Sequence, residues 1–198
     1  MRSKLFFTLS VILLWACEKE ESPYPPAIGG LITAEIGSDY SRTSYFDISS
    51  GEFVVNQPRD LFSLAFSSDE QDTAIFMNSF NFMYAKKTLD TNFLQVTDSS
   101  AVGEWDYDFP TGEHHRTALR DFLGPDGLPS KEVFILDLGY DVEVNRLPAM
   151  KLQVLHADDQ KYVVRYADLD GGPVNVATIQ RDPSYRRVML DMISGQQM

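Results

Sequence analysis

The stretch KLQVLHADDQKYVVRYADLDGG, residues 151–172, constrains the fold of this chain more than any other. In its first half Leu152, Val154 and His156 share one face and Lys151, Gln153 and Leu155 the other. In its second half Tyr162, Val164 and Tyr166 lie opposite Val163 and Arg165. A period of two is the signature of a pleated strand. The turn residues Asp158-Asp159-Gln160 between the halves make the pair a β-hairpin, and Asp170-Gly171-Gly172-Pro173 turns the chain again. On this alternation His156 faces inward as a hydrogen-bonded core residue.

Segments of the same length recur on both sides of the hairpin. Leu31–Ile36, Tyr45–Ile48, Glu52–Val55, Phe62–Phe66 and Thr73–Met77 precede it, with Ser49-Ser50-Gly51 marking a turn between the second and third. Val133–Leu138 also precedes it, and Val174–Ile179 and Arg187–Ile193 follow. Short strands at this spacing predict an all-β fold, an antiparallel two-layer β-sandwich with little helix. The one helical candidate is Thr117–Leu123, stopped by Gly124-Pro125, while Phe80–Lys87 is ambiguous between helix and strand.

The N-terminus follows a different logic. Arg2 and Lys4 precede an apolar run, Leu5–Leu14, that is too short to span a bilayer and has the form of a secretory leader. The run ends at Cys17, the only cysteine in the chain. Leu14-Trp15-Ala16-Cys17 resembles a bacterial lipobox, in which the cysteine is acylated and becomes the mature N-terminus. Residues 1–17 are therefore expected to be a lipoprotein signal peptide, with Cys17 the lipidated residue. Residues 18–30 follow as an acidic, proline- and glycine-rich tether, and residues 31–198 form a single β domain. Acyl chains contribute about 0.8 kcal/mol per buried methylene, which holds such a domain at a membrane. Glu18-Lys19-Glu20-Glu21 resembles the tag that sends lipoproteins of Bacteroidota-type bacteria to the outer face of the outer membrane.

Loss of Arg2 and Lys4 with the leader moves the formal charge from −12 to −14. A chain so acidic, without clustered cations, is a poor partner for nucleic acid. Hydrophobic residues at 43 % are enough for a packed core and argue against disorder.

No catalytic signature is present: there is no nucleophile elbow, no zinc-protease helix motif and no phosphate-binding glycine loop. With its cysteine assigned to the anchor, the domain has neither a thiol nucleophile nor a Cys-rich zinc site. The acidic pairs Asp106/Asp108 and Asp168/Asp170 read as solvated turn residues before they read as a glycosidase pair or a calcium site. The chain is accordingly expected not to be an enzyme. The more pointed stretch is WDYDFPTGEHHRT, where His114 and His115 stand together in a polar loop after an aromatic-rich segment. A loop imidazole is a competent ligand for iron, zinc or copper. Neighbours in an extended loop point in different directions, so one of the pair at most holds a given ion. Met150, after Leu147-Pro148-Ala149, stands where a strand begins, a rim position from which a thioether is a possible axial ligand.

Taken in order, YFDISSGEFV, LFSLAF, AIFMN, WDYDFPTGEHHRT, EVFILDLG, MKLQVLHADDQKYVVRYADLDG and QRDPSYRRVML resemble the HmuY haem-binding lipoproteins, from about Tyr45 to Ile193. The resemblance implies a lipid-anchored β domain that takes haem from its surroundings and passes it, without catalysis, to a TonB-dependent outer-membrane receptor. It also implies two axial side chains on the iron, His–His or Met–Met. The loop that supplies the first coincides with Thr111–His115, making His114 or His115 the candidate. The place of the second falls at Leu138-Gly139-Tyr140, where no His or Met stands; Tyr140, as a phenolate, and Met150 are the alternatives. The tryptophan that often precedes the L-A-F strand is replaced by Leu61-Phe62-Ser63. The alternative expectation is a structural or protein-binding surface lipoprotein that keeps the fold without the haem.

Overall fold

A computed structural model describes residues 33, 40–69, 72–100 and 103–198. The chain divides into two units, Met1–Thr33 and Ala34–Met198, and every strand described belongs to the second. The signal peptide, Cys17, the tether and, apart from Thr33, the strand expected at Leu31–Ile36 lie outside the described residues.

The protein is all-β and antiparallel, as its alternating segments require. β1 (Arg42–Asp47) and β2 (Glu52–Pro58) form a hairpin whose turn is closed by the Gly51 amide donating to the Asp47 carbonyl at 2.9 Å. Gly51 stands at φ 73°, the left-handed conformation that glycine adopts without steric cost. β3 (Leu64–Ser67), β4 (Ile75–Met77) and β11 (Arg187–Leu190) make a three-stranded sheet in the order β11-β3-β4. β5 (Tyr84–Lys87), β6 (Trp105–Asp106), β7 (Phe134–Asp137), β8 (Ala149–Ala157), β9 (Lys161–Asp168) and β10 (Asn175–Gln180) make a six-stranded sheet in the order β10-β9-β8-β7-β5-β6.

The two larger sheets enclose the main core. Leu64 and Phe66 of β3, Leu136 of β7, Leu152 and Val154 of β8 and Tyr162 and Val164 of β9 are all buried in it. Tyr162 links the layers: its phenol donates across to the carbonyls of Ser67, at 3.2 Å, and Ala74, at 3.4 Å, and its ring packs on Phe66. Burial raises its pKa to about 12, so it remains a neutral donor at any physiological pH.

The other face of the six-stranded sheet is also covered. The loop 88–100 folds over it, and Phe93 and Val96 pack with Val133, Ile135 and Ala167 in a second apolar cluster. Long polar side chains rise from the sheet to satisfy the backbone of this loop. Lys151 donates to the Val96 carbonyl at 2.7 Å and Lys86 to that of Ser99 at 2.9 Å. Gln153 donates to the carbonyls of Thr91 and Lys131 and accepts from Arg165 at 2.6 Å. Lys151 and Gln153 are consequently buried.

Two local expectations are corrected. His156 is exposed: the β8–β9 register shifts between Val154 and His156, and the bulge turns the imidazole out to Asp158 at 2.6 Å. Thr117–Leu123 is not an α-helix. It holds a single 3₁₀ turn, Arg120–Phe122, because Leu119 and Phe122 are drawn into the core from an irregular backbone. Phe80–Lys87 resolves into a 3₁₀ turn, Ser79–Asn81, followed by β5.

Replacing Gln153 with Leu is expected to lower stability by about 3 kcal/mol in urea unfolding, since it strands two loop carbonyls and the Arg165 donor. Asp158 offers a pH test. The hydrogen bond from His156 and the amides of Gln160 and Lys161 draw its pKa from 3.8 to about 2. A depressed carboxylate stabilises the fold above its unfolded pKa and loses that contribution as pH falls through the folded one. Urea midpoints measured between pH 5 and pH 2 should therefore fall less steeply in Asp158→Asn than in the parent.

Candidate functional site

The segments that carry the candidate residues meet around β4. After Met77 the chain turns at Asn78, whose side chain is buried and donates to the carbonyls of Arg59 (2.7 Å) and Phe62 (2.8 Å) while accepting from the Phe80 amide. The 3₁₀ turn Ser79–Asn81 ends at Phe82, which stands at φ 58°, ψ 44° with its ring exposed. Left-handed backbone at a bulky aromatic is a genuine outlier. Strain of this kind gathers where side chains must be presented.

Beside this turn, β6 pairs with β5. The alternation in Trp105-Asp106-Tyr107-Asp108-Phe109 leaves the three aromatic residues exposed and draws the two acids partly inward. Tyr107 meets Tyr84 edge to face at 6.1 Å. Phe82, Tyr84, Tyr107 and Pro110 wall a hollow of about 180 Å³ with Met77 and Met83 among its lining residues.

Asp108 fixes this arrangement. Its carboxylate accepts from the amides of Met77 at 2.7 Å and Ala118 at 2.9 Å, joining β4, the aromatic segment and the loop beyond. Desolvation raises its pKa despite those bonds. Asp106 moves the other way: burial alone would raise it, but the Arg120 guanidinium at 2.7 Å and the Tyr107 amide bring it below its usual value. Both carboxylates of this pair thus have fixed partners in the fold.

The histidine loop, compacted by hydrogen bonds from Gly112 to Phe109 and from Phe109 to Arg116, leads from the aromatic hollow to a second one. This hollow, of about 360 Å³, is polar: Asp72, Thr73, His114, His115, Arg120 and Asp121 line it. His114 Nδ1 contacts the Asp72 carboxylate, and its ring sits edge-on to Phe76 at 5.6 Å. The His115 side chain is 80 % exposed, with the Glu113 carboxylate 3.5 Å away. Of the two, His115 is the freer donor. Among the described residues no group of three or more His, Cys, Asp or Glu side chains converges as a metal site.

Tyr140 lies in the loop after β7. Its amide donates to the Asn81 carbonyl at 2.9 Å, which ties it to the turn beside the aromatic hollow. Its phenol accepts from Arg146 at 3.2 Å, and Arg146 in turn pairs with Asp137 at 2.5 Å. Met150 is not at a rim. It is 3 % exposed, shares the inward face of β8 with Leu152 and Val154, and belongs to the main core, so its thioether has no route to an open ligand. Phe82, Tyr84 and Tyr107 are not marked by residue type in the way the histidines are, although the alternation in WDYDF is a signal that its three rings share one face.

No family model, curated protein or solved structure matches this chain.

Gly139 is the joint between the Tyr140 loop and the aromatic hollow. It stands at φ 75°, and a β-carbon there would fall 1.7 Å from the Asn81 carbonyl oxygen. Gly139→Ala is expected to cost more than about 1 kcal/mol and to push the Asn81–Phe82 turn outward. Thermal unfolding and the fluorescence of the neighbouring tyrosines measure the two effects.

Proposed function

We propose that this protein is a non-catalytic capture protein for haem or a related planar tetrapyrrole, displayed on the outer membrane through a lipid at Cys17. The observation that carries the reading is the exposed aromatic shelf of Phe82, Tyr84 and Tyr107, set between the loop that bears His114 and His115 and the loop that bears Tyr140. Aromatic faces exclude water from a flat apolar ring, and an imidazole or a phenolate supplies the iron with a donor.

The fit to haem is uneven in a way that defines the mode of binding. A hollow of about 180 Å³ is below the range of roughly 300–1,000 Å³ that encloses a drug-sized ligand. It takes the edge of a porphyrin and leaves the propionates in water. His115 opens on the other hollow, so ligation requires the 110–116 loop to turn toward the shelf. Loop movements of this kind are common when a partner is bound. The resulting complex is open, with one imidazole and, from the Tyr140 side, one phenol.

Hemin titrated into the purified protein is expected to give a saturable, shifted Soret band. His115→Ala should remove the part of the shift that reports ligation, and Tyr107→Ala should weaken binding by about tenfold. A wild-type titration without a saturable band overturns the reading. In that event the second reading applies, a protein-binding lipoprotein of the same fold. It rests on the β1–β2 hairpin, whose Ile48, Phe53 and Val54 are exposed apolar residues, and a TonB-dependent receptor is the partner proposed under either reading.

A further inference from the structure

A further hollow belongs to neither set of candidate residues. It lies beside β11, encloses about 580 Å³ and is walled by Leu61, Tyr185, Val188, Met189 and Met198, with Gln57, Gln180 and Gln197 also in its lining. That volume is within the range of small-molecule sites, and the surface it exposes is mostly apolar, with amide and charged groups set into it. It shares no lining residue with the aromatic hollow.

One cation opens on it. The Arg187 guanidinium lies over the Phe76 ring at 3.6 Å, which shields one side of it from water. Among the described residues no carboxylate is within ion-pair distance of it and no group accepts a hydrogen bond from it. Asp108 attracts it from farther off, but the amides of Met77 and Ala118 already occupy that carboxylate. Asp182, the acid in the same lining, accepts from the Ser184 amide at 2.9 Å and makes no ion pair with Arg187. Other arginines of this acidic chain are paired: Arg120 with Asp106, Arg146 with Asp137 and Arg116 with Glu113. Arg187 thus lines a mostly apolar hollow with, among the described residues, its hydrogen-bonding capacity unspent. A guanidinium fork matches a carboxylate in geometry as well as charge.

We propose that this hollow is a binding site for an amphipathic monocarboxylate, with the apolar body against Leu61, Val188 and Met189 and the acid group on Arg187. The methionines make the proposal testable in solution. Octanoate, octanol and octylammonium share one apolar body and differ only in the head group. With ¹³C-methyl methionine labelling, octanoate is expected to shift the Met189 and Met198 signals saturably while leaving Met77 and Met83 in place. Octanol should bind about tenfold more weakly, the loss of one charge-assisted contact. Arg187→Gln should bring acid and alcohol to equal affinity, while Arg187→Lys, which keeps the charge, should retain a preference for the acid and so separates charge from folding. Equal binding of acid and alcohol by the wild type, tighter binding of octylammonium, a preference that survives in Arg187→Gln, or the absence of a saturable shift at Met189 and Met198 each overturns the site.

Discussion

Burying both faces of the six-stranded sheet is the constraint on which the rest of this structure depends. One face meets the three-stranded sheet through apolar residues and the Tyr162 phenol. The other meets an irregular loop, and irregular backbone cannot be covered unless its carbonyls find donors. Lys86, Lys151 and Gln153 provide them, so residues that look like the solvent face of a strand are structural donors under the loop. Phe93 then takes the cations of Lys151 and Arg165 against its ring, at 5.0 Å and 4.6 Å. A stretch without regular secondary structure becomes in this way a third layer of the domain.

A rigid central sheet makes the strained elements at its end possible. Asn81, Phe82 and Gly139 meet where β5 and β7 leave the pairing ladder, and backbone approaches backbone there with no room for a side chain at Gly139. Phe82 keeps a left-handed backbone and an exposed ring at a cost of the order of 1–2 kcal/mol. The ladder on one side and Asn78 on the other hold it in that state. Asp108 performs the same service across the hollow, each carboxylate oxygen accepting from a backbone amide.

Much of this was legible in the sequence, for a physical reason. Hairpins are local, and their turns are written in residues such as Gly51 and the Asp158–Gln160 triplet, so β1–β2 and β8–β9 follow from spacing alone. Burial on the second face is not local. KLQVLHA reads as one apolar and one polar face, but the loop that covers Lys151 and Gln153 lies some sixty residues earlier, as the Lys151–Val96 and Gln153–Thr91 bonds show. The bulge at His156 is invisible to a strict period of two. The site divides in the same way. His114 and His115 were recognisable by residue type, whereas the Phe82–Tyr84–Tyr107 shelf arises from two short strands, β5 and β6, brought together across the intervening loop.

Phe76 shows how the outer side of the small sheet is covered. Its ring is only 4 % exposed although no strand layer covers it. Phe62 and Met189 pack on its cluster, and the His114 ring and the Arg187 guanidinium add to the cover. A cation over an aromatic face and an edge-to-face ring contact are both favourable, so polar side chains complete a cover that Phe62 and Met189 begin. The small sheet thus buries its outer ring without a further strand layer.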